Sequence, residues 1–103
     1  MAFIAAFVAH APDADPEKHR CVVETPKYKL FVNVVQGQEQ AKEVCRELVE
    51  EEGVTSIILC PGFTNRDIAE ISEVVGQGCG VNVARGDGPS TRIAVETIAR
   101  EWA

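Results

Sequence analysis

A chain of 103 residues with 46% apolar and 25% charged side chains has the balance of an ordinary folded protein, which argues against intrinsic disorder. Its length suits a single domain, residues 1–103, because a second core would have too little surface to bury. The formal net charge of −6, with the basic residues scattered and no cluster longer than Lys27-Tyr28-Lys29, opposes a nucleic-acid partner, whose phosphates call for grouped Lys and Arg.

Ala2 to Ala9 is a continuous apolar run, which suits a strand covered on both faces. With Met1 it has neither the basic start nor the polar cleavage region of a signal peptide, and it is too short to span a membrane. His10 to Pro16, with two prolines and two aspartates, ends the run as a surface loop. His19 to Thr25 is a weaker extended segment stopped by Pro26, and it suits a sheet edge or an arm. Leu30 to Val35 is a stronger strand.

Gln36-Gly37 then opens a helix over residues 38–52, whose stripe of Ala41, Val44, Cys45, Leu48 and Val49 recurs every three or four positions. Gly53 ends it, since only glycine takes the left-handed conformation cheaply. Thr55 to Cys60 is a short apolar run closed by Pro61-Gly62, the pattern of a central parallel strand. Thr64 or Asn65 can cap the next helix, which carries Ile68, Ile71, Val74 and Val75 on one side. After Gly76-Gln77-Gly78 comes a last strand, residues 79–84. Asp87 or Ser90, with Pro89, starts a third helix that carries Ile93, Ala94, Ile98, Ala99 and Trp102.

Strands alternating with helices imply an α/β fold: a three-layer sandwich around a largely parallel sheet, Rossmann-like or flavodoxin-like, with an extra edge strand and helices on both faces. The small size and the terminal Trp102 favour a homo-oligomer. Cys21, Cys45, Cys60 and Cys79 form no C-x-x-C pair, so the expectation is four reduced thiols in a cytoplasmic protein. Neither the histidines nor the acids Asp13, Asp15 and Glu17 have the spacing of a metal site, and no cofactor is expected.

The stretch Asp15-Pro16-Glu17-Lys18-His19-Arg20 with Val22-Val23-Glu24-Thr25, the helix end Glu47-Leu48-Val49-Glu50-Glu51-Glu52-Gly53, and the turn Cys60-Pro61-Gly62-Phe63 together resemble a small prokaryotic family of unknown function. The likeness runs over residues 1–84, and the Arg85-Gly86-Asp87-Gly88 segment looks less typical of it. It implies a compact α/β fold and no assigned chemistry.

In a parallel sheet, ligands collect at the carboxyl ends of the strands. Four loops should meet there: His10, Gln36-Gly37, Cys60 to Asn65, and Arg85 to Ser90. Glycines beside helix starts suit a small anion, so Gly62, Phe63, Thr64, Asn65, Gly86, Gly88 and Ser90 are candidate ligand contacts, with Arg85 or Arg92 supplying charge. The leading expectation is therefore an anion-binding module. The first rival is an acyl-transfer or hydrolytic enzyme. In it Cys60 is the nucleophile, its thiolate favoured by the following helix, His10 is the base, and the N–H groups of Gly62 and Phe63 face the oxyanion. A second rival is a protein that only assembles with a partner.

Overall fold

The computed structural model of the protein describes residues 1–102. Its strands are β1 (Phe3–His10), β2 (Arg20–Glu24), β3 (Tyr28–Val35), β4 (Ser56–Leu59) and β5 (Gly80–Val83), and its helices α1 (Gln38–Glu52), α2 (Asn65–Val75) and α3 (Gly88–Glu101). The five strands form one sheet in the order β2-β3-β1-β4-β5. β1, β3, β4 and β5 run parallel, and β2 turns back antiparallel on β3 as the edge strand.

Local chemistry sets the boundaries. Gly53 ends α1 with φ 77° and donates its N–H to the Leu48 carbonyl, a conformation that costs a side-chain-bearing residue on the order of 1–2 kcal/mol. α2 starts at a reciprocal cap. The Thr64 side chain accepts from the Asp67 N–H, and the Asp67 carboxylate accepts from the Thr64 N–H. Asp87 caps α3 by accepting from the Ser90 N–H.

Handedness decides where the helices go. From β1 the chain moves to β3 on one side, then returns across β1 to β4 and continues to β5. Parallel crossovers are right-handed, so the two that travel the same way, through α1 and α2, lay their helices on the same face. Their apolar stripes meet one another and the sheet in one core: Ala41, Cys45 and Leu48 from α1, Ile71 and Val75 from α2, and Ala6, Val8, Phe31, Ile57 and Leu59 from the strands.

The opposite face departs from the three-layer expectation. The crossover that would put a helix there is the one from β1 to β3, and that connection is spent on β2. α3 buries none of its residues. What faces outward, read from the register, is Phe3, Ala5, Phe7 and Ala9 of β1, Tyr28, Leu30, Val32 and Val34 of β3, Cys21 and Val23 of β2, and Ser56 and Ile58 of β4. The alternation of these positions with the helix-facing ones is the reason β1 and β3 look apolar throughout. Phe3 and Val23 are 52% and 55% exposed.

Candidate functional site at the carboxyl edge

The parallel strands bring the loops after residues 10, 35, 59 and 83 to one edge. The connections diverge between β1 and β4, the chain leaving β1 for one side of the sheet and β4 for the other, so the position at which open parallel sheets hold ligands falls between the ends of those two strands. His10 stands at the end of β1 and Cys60 directly after β4.

His10 belongs to the helix-facing set of β1 with Ala6 and Val8. Its ring stacks on Phe63, with centroids 3.9 Å apart and planes 27° off parallel. Phe63 is 1% exposed and among the largest fully buried side chains, so it fixes the imidazole from below. Gly62 lets the turn close over His10 and Cys60. A Cβ there would stand 3.3 Å from His10 Nδ1 and 3.6 Å from Cys60 Sγ. The structure thus brings Cys60, His10, Gly62 and Phe63 together.

Burial lowers the His10 pKa below the ordinary histidine value, and the Asp67 carboxylate partly opposes that shift. The folded pKa lies below the unfolded one, so the unfolded chain takes up the proton first as pH falls. The neutral ring's contribution to stability is therefore complete above the unfolded pKa of about 6.5 and is lost as pH drops from there through the folded value. Urea denaturation of the wild type between pH 7.5 and 5 should show this loss on top of the common trend, and His10→Gln should lack it. Equal pH slopes in the two proteins would contradict the assignment.

The remaining expected contacts are placed differently. Thr64 is occupied by the α2 cap. Asn65 Oδ1 accepts from Arg85 at 2.9 Å, and the same guanidinium nitrogen donates to the Phe63 carbonyl at 3.3 Å. Arg85 therefore straps the loop after β5 to the start of α2. Gly86 packs against Thr91, whose Oγ1 would lie 3.1 Å from an added Cβ. Gly88 opens α3, and Ser90 satisfies the Asp87 cap. At both helix starts a carboxylate, Asp67 or Asp87, already holds the position an anion would take.

Other residues enter that sequence spacing had not singled out. α1 begins at Gly37 with no side-chain cap. Gln38 reaches across to α2, its Nε2 donating to the Asp67 carbonyl and to Glu70, each at 3.1 Å. Among the described residues, Gln38 Oε1 and His10 Nε2 are both buried without a hydrogen-bond partner. Ile98, Ala99 and Trp102 of the α3 end line a shallow depression of about 430 Å³ with His10, Ala11, Pro12 and Gln36. Gln38 looks like any solvated glutamine at a helix start, and only the packing of α1 on α2 turns it inward.

A larger groove, about 600 Å³, lies away from this edge between β2 and α1, with Val22, Phe31, Val44 and Leu48 in its floor and Glu43, Glu47 and Glu51 on its wall. It exists because α1 does not reach out over the edge strand. Its acids belong to the solvent-facing flank of α1, where Glu43 already pairs with Arg46. The carboxyl edge, where both buried unpartnered atoms belong to residues at strand ends or helix starts, is the better candidate.

The thiols sort by burial. Cys45 is pushed up to about 12 and Cys79 is also raised, both chiefly by burial. Cys60 is half-buried beside Gly62, and Cys21 is exposed on β2. In dilute solution Cys21 and Cys60 should alkylate first, and Cys45 and Cys79 only on unfolding. Peptide mass mapping after timed labelling tests this, and Cys45 labelling in the folded protein would contradict it. Cys21 joins Cys60 because β2 is exposed along its whole length.

Among the described residues no group of three or more His, Cys, Asp or Glu side chains could hold a metal ion, and no helix is long and apolar enough to cross a membrane.

Fold and site together define an α/β protein with an open, mostly parallel sheet and a crevice at the carboxyl edge. The chain belongs to a family of unknown function, DUF6506, whose model matches residues 3–98. The match runs past residue 84, so the last loop and most of α3 belong to the family pattern, contrary to the more limited resemblance seen in the sequence. No curated protein and no solved structure matches the chain.

Proposed function

We propose that this protein is a small-ligand-binding module of a reducing compartment such as the cytoplasm, with its site in the crevice between β1 and β4. The parallel strands alone follow the order β3-β1-β4-β5, and ligands of open parallel sheets sit where the strand order reverses. The observation that carries the proposal is the pair of buried, unpartnered polar atoms, His10 Nε2 and Gln38 Oε1, whose side chains lie beside Phe63 and Asp67 where the turn after β4 enters α2. Buried polar atoms are nearly always satisfied, and two orphans whose side chains both neighbour Asp67 favour an absent guest.

The ligand class follows from the neighbours. His10 is held toward its neutral form, and Asp67 and Glu70 adjoin Gln38. A full negative charge would be opposed here. A small neutral polar group that donates to Gln38 Oε1 and pairs with His10 Nε2 fits, with Trp102 and Ile98 providing apolar cover from α3. Nuclear magnetic resonance of the His10 ring and Gln38 amide, titrated with acetamide, acetate and inorganic phosphate, tests this. Acetamide should shift both groups and His10→Ala should abolish the response. Shifts caused only by the two anions would restore the anion-binding alternative, and no response to any of the three would overturn the proposal.

One observation favours an enzyme: Cys60 Sγ and His10 Nδ1 converge on Gly62. In that case neutral His10 removes the thiol proton, the thiolate adds to an acyl carbon, the leaving group departs, and water later releases the acid. Against it, the Phe63 N–H already donates to the Cys60 carbonyl at 3.2 Å, so one of the two expected oxyanion donors is spent in the turn. Hydrolysis of an activated ester, abolished by Cys60→Ser while the fold persists, would support this second function.

A further inference from the structure

We infer that the bare face of the sheet is a homodimer interface, covered by the same face of a second copy. This stands apart from the ligand crevice, since the crevice lies at the strand ends and the interface on the side away from α1 and α2.

The face is apolar and without charge. Phe3, Phe7, Tyr28, Leu30, Val32, Val34, Val23 and Ile58 dominate it, and no Asp, Glu, Lys or Arg occupies any of its strand positions in the register. The charged strand residues Arg20, Glu24 and Lys29 all point to the helix side. For a chain of net charge −6 this matters, because two copies meeting here bring no like charges together.

Parallel sheets are ordinarily covered on both faces. The right-handed crossover that would cover this one is absent, because the β1-to-β3 connection forms the edge strand instead. Four strands, β2, β3, β1 and β4, of 5, 8, 8 and 4 residues, present roughly 400 Å² of flat sheet per copy at about 3.3 Å rise and about 4.8 Å spacing. A pair therefore covers roughly 800 Å² as flat sheet, and the relief of side chains such as Phe3, Phe7 and Tyr28 raises the accessible area removed toward the about 1,000 Å² at which specific interfaces begin. A flat face meeting itself about a two-fold axis is self-complementary, and two sheets packed about 10 Å apart make an ordinary sandwich core.

Sedimentation velocity over a micromolar concentration series tests this with two variants. Val32→Lys puts a charge in the middle of the face, and Val22→Lys puts one on the helix side of β2, where Val22 is already 47% exposed. The wild type and Val22→Lys should sediment at twice the chain mass, and Val32→Lys at the chain mass with an unchanged circular dichroism spectrum. Should Val32→Lys fail to fold, alkylation of Cys21 in the wild type decides instead. Cys21 shares the face with Val32, and its labelling should slow as concentration rises through the dimer range. A wild type that stays monomeric throughout, a Val32→Lys variant that remains dimeric, or a Cys21 rate independent of concentration would each overturn the inference. So would a monomer that binds phosphatidylcholine vesicles through this face.

Discussion

Phe63→Ala is expected to destabilise the protein by about 3–5 kcal/mol, the usual cost of deleting a fully buried phenyl ring and leaving its cavity. Phe63 is 1% exposed and joins the core at the point where the turn after β4 enters α2. Its backbone also holds the turn, donating to the Cys60 carbonyl and accepting from Arg85. For a domain this size, each 1 kcal/mol moves the thermal midpoint by roughly 4–8 °C, so the change should be plain in a melting curve. The variant carries a second readout. Without the stacked ring, water reaches His10 and the desolvation that lowers its pKa is relieved, so the imidazole should titrate closer to its ordinary value. Phe63→Leu should keep most of the stability. A melting curve unchanged by Phe63→Ala would mean that the turn does not depend on the ring.

The second large effect separates the two faces of the sheet at adjacent positions. Ile57 is fully buried against α1 and α2, between Ala6 and Val81 in the register. Ile58, one residue on, lies half-buried on the bare face between Phe7 and Asn82. Ile57→Ala should cost about 2–5 kcal/mol at any protein concentration. Ile58→Ala should cost less in dilute solution, because part of that side chain is already in water, and its cost should grow with concentration if the face pairs with a second copy. Denaturation of both variants at low and high concentration checks this. Equal, concentration-independent losses would mean that the bare face is covered within one chain.

The carboxyl edge shows how far residue patterns carry. His10, Cys60 and the Pro61-Gly62 turn are legible because a strand ends where an apolar run meets turn residues, and parallel strands must end together. The caps of α2 and α3 are legible for the same local reason, as is the left-handed close of α1 at Gly53. Their consequence is not. Asp87 reads as a cap candidate and Asp67 is not singled out, and only the formed caps show that both carboxylates fill the positions an anion would need. Gln38 gives no local signal at all, and its inward turn depends on α1 lying against α2, residues far apart in the chain.

The order and kind of elements follow from the sequence by itself, because periodicity, glycine stops and side-chain caps act over a few residues. The extended segment before Pro26 reads as an edge strand, and β2 is one. What the tertiary structure decided is which face each element covers. An apolar run buried on both sides and one buried on a single side look the same in β1 and β3, since side chains alternate whether or not a second layer exists. Coverage depends on the direction of each crossover, a property of how the whole chain is wound. Here the one crossover that could have covered the second face is occupied by β2, so the sheet keeps an apolar side that its sequence marks as interior and its topology leaves open.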